Sequence, residues 1–444
     1  MDIIQVHEIF RETYYRRYYD VYPRVVPADS ESVIKIVPLY DHCKLDAGSE
    51  YVVKIIPMDT YHAHRDGEQY HIKAVKPSNG MLEVRHCFEG EQEHVLVVSV
   101  RSDEGEREIG EFSVYSLKED LFRRRPYKGD LHIHSSLSDG KESPEYVAAA
   151  CRRIGLDFMA VTDHQAYQPS IWAREAFKDV DIDLKIFPGE EIHLPGVEVH
   201  IVNFGGSFSI SQLVRENEDR YRAEVEAIVN SMNDVPAGVN KLEYAACVWG
   251  FEKIRESGGL SIFCHPYWVV GRRYNISPVF TEYMLENHPF DAFELLGIGG
   301  LQVDSNMLQV AHYNEQRAKG NNIAIVGNTD AHGCERGVAF GWIYTIIFSE
   351  GLELSDIKES IKNYYSVAVE KLPDSPARVF GPLRLVKYAL FLLREIFPKH
   401  DELCYEEGNL MLGYIRGEKD AAERLKMVKG QTHELMNHYW GDKS

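Results

Sequence analysis

The sequence predicts an α/β protein: a parallel strand–helix barrel, preceded by an antiparallel β-sandwich and followed by a helical segment. Three observations carry this. Short β-type runs separated by turn formers fill residues 32–117, the spacing of an antiparallel sandwich. From Gly129 the period changes to strand followed by helix, and βα units repeated in this number close into a parallel barrel. Residues 373–444 then hold no convincing strand.

The elements follow in order. Residues 1–28 carry aromatics and arginines (Tyr14-Tyr-Arg-Arg-Tyr-Tyr19) and predict an N-terminal arm or short helix. A β-sandwich domain is expected over 29–122, with strands such as Val33–Pro38, Tyr51–Ile56, Met81–Arg85, His94–Val100 and Glu111–Leu117, and with turns at Asp66-Gly67 and Ser78-Asn-Gly80. Arg123 to Lys128 reads as a linker into the barrel domain, 123–372. Its strands are Gly129–His134, Leu156–His164, Leu184–His193, Val197–Phe204, Leu260–His265, Ala292–Leu296, Ile323–His332 and Trp342–Phe348, with a mostly helical insertion at 209–257 that could cap the barrel mouth. In the C-terminal segment, 373–444, Leu383 to Phe397 is a strongly apolar helix interrupted by Lys387 and Arg394; core packing is expected of it, not membrane attachment.

Composition narrows the partners. The 444 residues give ample material for a large core, and 69 acidic against 49 basic residues leave a net charge of −20. That balance disfavours long nucleic acid and anionic lipid, so a small phosphorylated substrate is expected, with no long nucleic acid and no membrane among the partners. The seven cysteines (Cys43, Cys87, Cys151, Cys247, Cys264, Cys334, Cys404) are odd in number and contain no C-x-x-C pair, which predicts reduced, mostly buried thiols. The N-terminus lacks the basic and apolar regions of a secretory signal, and no apolar run is long enough for a bilayer, so a cytoplasmic location is expected.

The chemistry concentrates where strands run out. In Gly129-Asp-Leu-His-Ile-His, alternation sends Asp130, His132 and His134 to one side, and Leu131 and Ile133 to the other. Asp139 follows in a Ser-Asp-Gly turn, ahead of a helix with Pro144 in its first turn. His164, Glu191, His200, His265, Asp330 and His332 fall at or near the ends of later strands. Imidazoles and carboxylates together suit Mn, Fe or Zn.

The motif order H-x-H…D…T-D-H…G-E-E…H…C-H-P…T-D-A-H resembles the PHP family, the polymerase and histidinol phosphatase superfamily of metal-dependent phosphoesterases; the resemblance covers about residues 126–350. It implies a distorted seven-stranded (β/α) barrel holding two or three divalent metals (Mn, Fe or Zn). By that resemblance His132, His134, Glu191 and Asp330 hold one metal; Glu191, His200 and His265 a second, with the glutamate bridging; and Asp139, His164 and His332 a third. Many members have His where this chain has Asp139, which hardens the third site and favours Mn or Fe over Zn. Glu191 is taken as the ligand because the family pattern is Gly-x-Glu, which leaves Glu190 to face outward.

Such a site predicts hydrolysis of a phosphate ester by a metal-bound hydroxide, on a small metabolite or nucleotide. Two alternatives stand beside it: an exonuclease trimming short oligonucleotides, and a non-catalytic metal-binding interaction module. His265 or His332, or a water on the third metal, is expected to protonate the leaving oxygen. Asp130 and Asp163 are expected to orient imidazoles from behind, with capping of the following loop as Asp163's alternative. Lys141, Arg272, Arg273 and Arg336 are expected to meet the phosphate, and Tyr267 and Trp268 to stack on base or sugar or simply to pack. Two look-alikes are set aside: His62-Ala-His64 lies in a polar hairpin, and His433 and His438 stand five residues apart, about 140° round a helix, which breaks the zinc-protease pattern.

Overall fold

The computed structural model describes residues 18–60, 70–102, 105–297, 302–335 and 339–441. Most of the N-terminal arm (1–17), the His62/His64 hairpin and Arg336 lie outside the described residues. The chain divides into two compact units, one of Met1–Arg124, Leu390–Phe397 and Gln431–Ser444, the other of Arg125–Ala389 and Pro398–Gly430. The C-terminal helical stretch therefore supplies residues to both.

In the first unit, strands β1 (Tyr19–Tyr22), β2 (Val25–Pro27), β3 (Ser30–Pro38), β4 (Tyr51–Pro57), β5 (His71–Val75), β6 (Leu82–Phe88), β7 (Gln92–Ser102) and β8 (Gly105–Leu117) form two sheets, ordered β1-β3-β6 and β2-β8-β7-β4-β5. Alternation decides their faces: in β6 Leu82, Val84, His86 and Phe88 are buried while Glu83, Arg85 and Cys87 are exposed. One apolar cluster draws on both sheets, with Ile34, Ile36, Leu82 and Phe88 from one and Val53, Leu96, Val98 and Phe112 from the other. The Arg24 guanidinium, buried in this unit, is neutralised by Glu395 at 2.7 Å.

The second unit holds β9 (Arg125–Asp130), β10 (Phe158–Ala160), β11 (Lys185–Phe187), β12 (Gly189–His193), β13 (His200–Phe204), β14 (Leu260–Phe263), β15 (Val269–Val270), β16 (Arg273–Tyr274), β17 (Ala292–Leu296), β18 (Ile325–Gly327), β19 (Ile343–Ser349), β20 (Ser366–Glu370) and β21 (Arg378–Phe380). It is mixed α/β. One sheet runs β11-β10-β9-β19-β20-β21 and another β12-β13-β14-β17-β18, with β15 and β16 as a separate ribbon. Pairing is parallel at β9/β10, β10/β11, β14/β17 and β17/β18, and antiparallel at β12/β13, β13/β14, β9/β19 and β19/β20. The described strands thus form mixed sheets where wholly parallel pairing was expected. The reason is visible between β12 and β13: residues 194–199 are too few for a helical crossover, so the chain turns straight back.

Phe158, Ala160, Val202, Phe204, Leu260, Ile262, Ala292, Val326 and Ile347 fill one cluster shared by both sheets of this unit. Gly129 makes that approach possible, since a Cβ there would sit 2.2 Å from the Phe158 ring. Helices Ile210–Glu216, Glu218–Ser231 and Lys241–Glu256, expected as a cap, pack Val214, Tyr221, Val225 and Phe251 against Ile192, Leu194 and Ile201. No helix among the described residues is long and apolar enough to cross a membrane. All seven cysteines are free, and only Cys87 is exposed.

Candidate metal centre

Backbone hydrogen bonds tie the ligand-bearing strand ends to one another. His134 N donates to Ala331 O at 3.0 Å, Asp330 N to His132 O at 2.9 Å, Glu191 N to Thr162 O at 3.1 Å, and Gln165 N to Glu191 O at 2.7 Å. Two ligand candidates, His265 (φ 21°) and Asp330 (φ 48°), sit in the left-handed region, a conformation that costs on the order of 1–3 kcal/mol and persists where surrounding structure enforces it.

On this frame the expected ligands converge. His132 Nε2 lies 3.4 Å from Glu191 Oε2 and 3.3 Å from Asp330 Oδ1. His134 Nε2 lies 3.4 Å and 2.9 Å from the same two oxygens. Glu191 reaches a second group through Oε1, 2.8 Å from His200 Nδ1 and 3.5 Å from His265 Nε2. Asp139 Oδ2 stands 3.4 Å from His164 Nε2 and 3.3 Å from His332 Nε2, while His164 Nδ1 faces back to Glu191 Oε2 at 2.6 Å. His132, His134, Glu191 and Asp330 form one metal-sized group, and His134, Asp139, His164 and His332 another. Gly140 keeps Asp139 close, because a Cβ there would come 2.7 Å from the His134 carbonyl oxygen.

These residues fit a multi-cation centre. Both Glu191 oxygens, His134 Nδ1, His164 Nδ1, His200 Nδ1 and both His265 nitrogens are inaccessible and lack hydrogen-bond partners, although several stand within contact distance of each other. Buried polar atoms crowded without hydrogen-bond alignment are costly unless a cation unites them. Burial presses His200 down to about 4, leaving it neutral, and lowers His134 as well. Burial opposes the charge of Glu191 too, but His132 and His200 hold its carboxyl well below the usual range. At His132 burial is outweighed by Asp330, Glu294 and Glu191, which keep the imidazole protonated until another positive charge replaces the proton.

Two residues of this centre escaped the sequence reading. Glu294, fully buried in β17, accepts from His132 Nδ1 at 3.0 Å and from Asn328 Nδ2 at 2.8 Å. Because a carboxylate only accepts, Nδ1 keeps its proton, so the proton a cation would replace is the one on Nε2, which faces Glu191 and Asp330. A lone glutamate inside Ala292-Phe-Glu-Leu-Leu was the available signal. The other is His193, which groups with His164 and Glu191.

Several expected roles are corrected. Asp130 and Asp163 bond backbone and hydroxyl groups, not imidazoles. Asp130 accepts from His132 N at 3.2 Å and Thr329 Oγ1 at 2.5 Å, and burial raises its pKa to about 7 despite those bonds. Asp163 accepts from Ser135 N at 2.8 Å and from Ser138 Oγ, fixing the loop before Asp139 and not the loop that follows Asp163 itself. Glu190 points away from the centre yet is buried, where it accepts from Ser209 Oγ at 2.8 Å and Ile210 N at 2.5 Å at a helix start. His332 Nδ1 donates to the Asp330 carbonyl at 2.9 Å, so its Nε2 is arranged as a lone-pair donor; His265, with Nε2 aimed at Glu191 and Asp330, is arranged likewise. Neither is set up as a free proton donor. Tyr267 is 6% exposed and its hydroxyl meets His312 Nδ1 at 2.9 Å, so it packs inside the unit. Trp268 instead approaches the centre, its ring 5.7 Å from that of His200. Lys141 is exposed, its stem lying over Gly333 beside His332. Arg272 and Arg273 are exposed on the β15–β16 ribbon, which begins just after Trp268, and no ion pair with a described residue is formed by either.

No family model matches the chain. Over 280 residues, 58% of this chain and 45% of the relative, it is 26% identical to the DNA polymerase/3'-5' exonuclease PolX of Bacillus subtilis, so the match spans less than half of that relative. Among solved structures, a two-domain Bacteroides vulgatus protein described as containing a PHP-like metal-dependent phosphoesterase shares 18% identity over 55% of this chain and 65% of its own, at a TM-score of 0.37. Endonuclease Q in complex with a 27-mer duplex bearing an abasic lesion shares 16% over 54% of this chain and 57% of its own, at 0.32.

The curated relative, named a DNA polymerase and exonuclease, overturns the expectation that nucleic acid is excluded as a partner. The error lay in the weight given to a net charge of −20. Exposed charges are screened beyond about 8–10 Å at physiological salt, so cations at a site can govern recognition locally whatever the overall sum. In motif order and in the gathering of its candidate ligand residues the chain resembles the PHP family of metal-dependent phosphoesterases.

Proposed function

We propose that this chain hydrolyses phosphodiester bonds in nucleic acid with the help of divalent metals. The observation that supports it is the meeting of His132, His134, His164, His200 and His265 around the two oxygens of Glu191, a carboxylate buried to 0% exposure. Two or three divalent ions held there would bind the non-bridging oxygens of a phosphate and make water a nucleophile near neutral pH.

The chain's own residues supply the rest. Glu294 holds His132 in the tautomer that offers Nε2. The buried walls keep bulk water from the His132 and Glu191 side, whereas Asp139 and His332 keep 54% and 35% side-chain exposure and mark the side from which a phosphate enters. Lys141, beside His332, counters phosphate charge at that mouth. Trp268 gives a base a stacking surface, worth about 1–3 kcal/mol, and Arg272 and Arg273 carry the contact to neighbouring phosphates.

The test is cleavage of labelled single-stranded and duplex DNA, alongside bis-p-nitrophenyl phosphate, by protein reconstituted with Mn2+. Product that disappears with EDTA and in Asp330→Asn is the expected result. Intact DNA of both kinds under all metals tried would contradict the proposal.

A further inference from the structure

β12 ends at His193, and its pleat sends Glu191 and His193 to one face while Glu190 and Ile192 take the other. The antiparallel register then sets His193 directly opposite His200. Their rings stack with centroids 4.0 Å apart, and the His164 ring lies 4.7 Å from that of His193. His193 Nε2 is turned inward, 3.8 Å from Glu191 Oε1, the oxygen His200 approaches to 2.8 Å and His265 to 3.5 Å. That nitrogen is inaccessible and has no hydrogen-bond partner, although the side chain as a whole keeps 27% exposure.

A ring serving only to cover His200 could leave its polar atoms in water. This one hides a nitrogen among others that share its orphaned state, and His164, Glu191 and His193 each offer an atom within 4.8 Å of the others. We propose that His193 is a further metal ligand, contributing Nε2 to the cation held on the Oε1 side of Glu191. The inference rests on the metal-dependent reading of the same site. With Glu191, His200 and His265 it would bring the protein donors on that side to four.

The test uses Co2+ as probe on metal-stripped full-length protein, measuring stoichiometry and affinity by equilibrium dialysis and recording the visible absorption of the bound ion. His193→Phe keeps a ring to stack on His200 but removes the donor, and His193→Asp restores a donor. His193→Phe is expected to weaken one Co2+ site about 10-fold or more and to change its visible band, with His193→Asp recovering much of the affinity. Equal affinity and superimposable spectra for wild type and His193→Phe would overturn the inference while leaving the metal centre intact. Wild type that takes up no Co2+ would instead remove the reading on which it rests, and the inference with it.

Discussion

His132 donates through Nδ1 to Glu294 Oε1 at 3.0 Å, both side chains fully buried. The bond does for the metal centre what no ligand can do for itself: it fixes which nitrogen carries the proton and aims the other at Glu191 and Asp330. Removing it by Glu294→Ala frees the ring and leaves Asn328 without its acceptor. Metal affinity is expected to fall by about 10–100-fold, measured by competition with a chromophoric chelator. Unchanged affinity would show that the ring is held by other means.

Asp163 fixes the turn that presents Asp139. It receives Ser135 N at 2.8 Å, Ser135 Oγ at 2.5 Å and Ser138 Oγ, with Asp163 and Ser135 themselves buried. Asp163→Ala orphans these donors and is expected to cost on the order of 2–4 kcal/mol by thermal unfolding. The group formed by Asp139, His164 and His332 should lose its cation before the others do. Loss of stability with full metal occupancy would mean that the turn does not set Asp139.

The first unit should weaken in mild acid. Burial holds His94 down at about 4, with His86 beside it acting in the same direction; His86 is itself lowered to about 4 by burial, with His71 adding to it. An unfolded imidazole titrates near 6.5, so below that pH the unfolded chain binds protons that the native state refuses. Stability is therefore full above about pH 6.5 and is lost as pH falls toward about 4, on the order of 2 kcal/mol from His94 alone between pH 7 and 5. Protection factors of the β7 backbone amides, measured by hydrogen exchange, should drop accordingly; equal factors at both pH values would contradict this.

Asp157, His400 and Cys404 lie close enough to form a ligand set, yet they belong to a satisfied ion network. Arg152, fully buried, meets Glu407 at 2.6 Å and Asp157 at 3.0 Å, and His400 meets Asp157 at 2.9 Å. A cation already occupies the place a metal would take. Glu407→Ala should destabilise the second unit by about 3–5 kcal/mol without changing the metal content of the chain. A metal equivalent lost with Glu407 would reverse that assignment.

Much of the centre was legible because its residues sit at strand ends and alternate with buried apolar neighbours: Leu131 and Ile133 go inward while His132 and His134 go to the site. Glu294 was missed because a glutamate inside a short apolar run gives no sign of its partner, which lies 162 residues away. His193 was missed although it stands at the same pleat position as Glu191, two residues on. Strand direction was less legible than strand position, since β12 and β13 read as buried runs whichever way they pair. Net charge misled about partners because it sums distant residues that a phosphate at the site does not feel.

The most direct measurement couples metal content to cleavage on one preparation. Full-length protein reconstituted with Mn2+, gel-filtered and assayed by inductively coupled plasma mass spectrometry, should retain two or three ions per chain. The same protein should cut DNA, and Glu191→Gln should lose most of the bound metal and the cleavage together. A Glu191→Gln protein that keeps both, or a wild type that cuts DNA with no metal bound, would contradict the account.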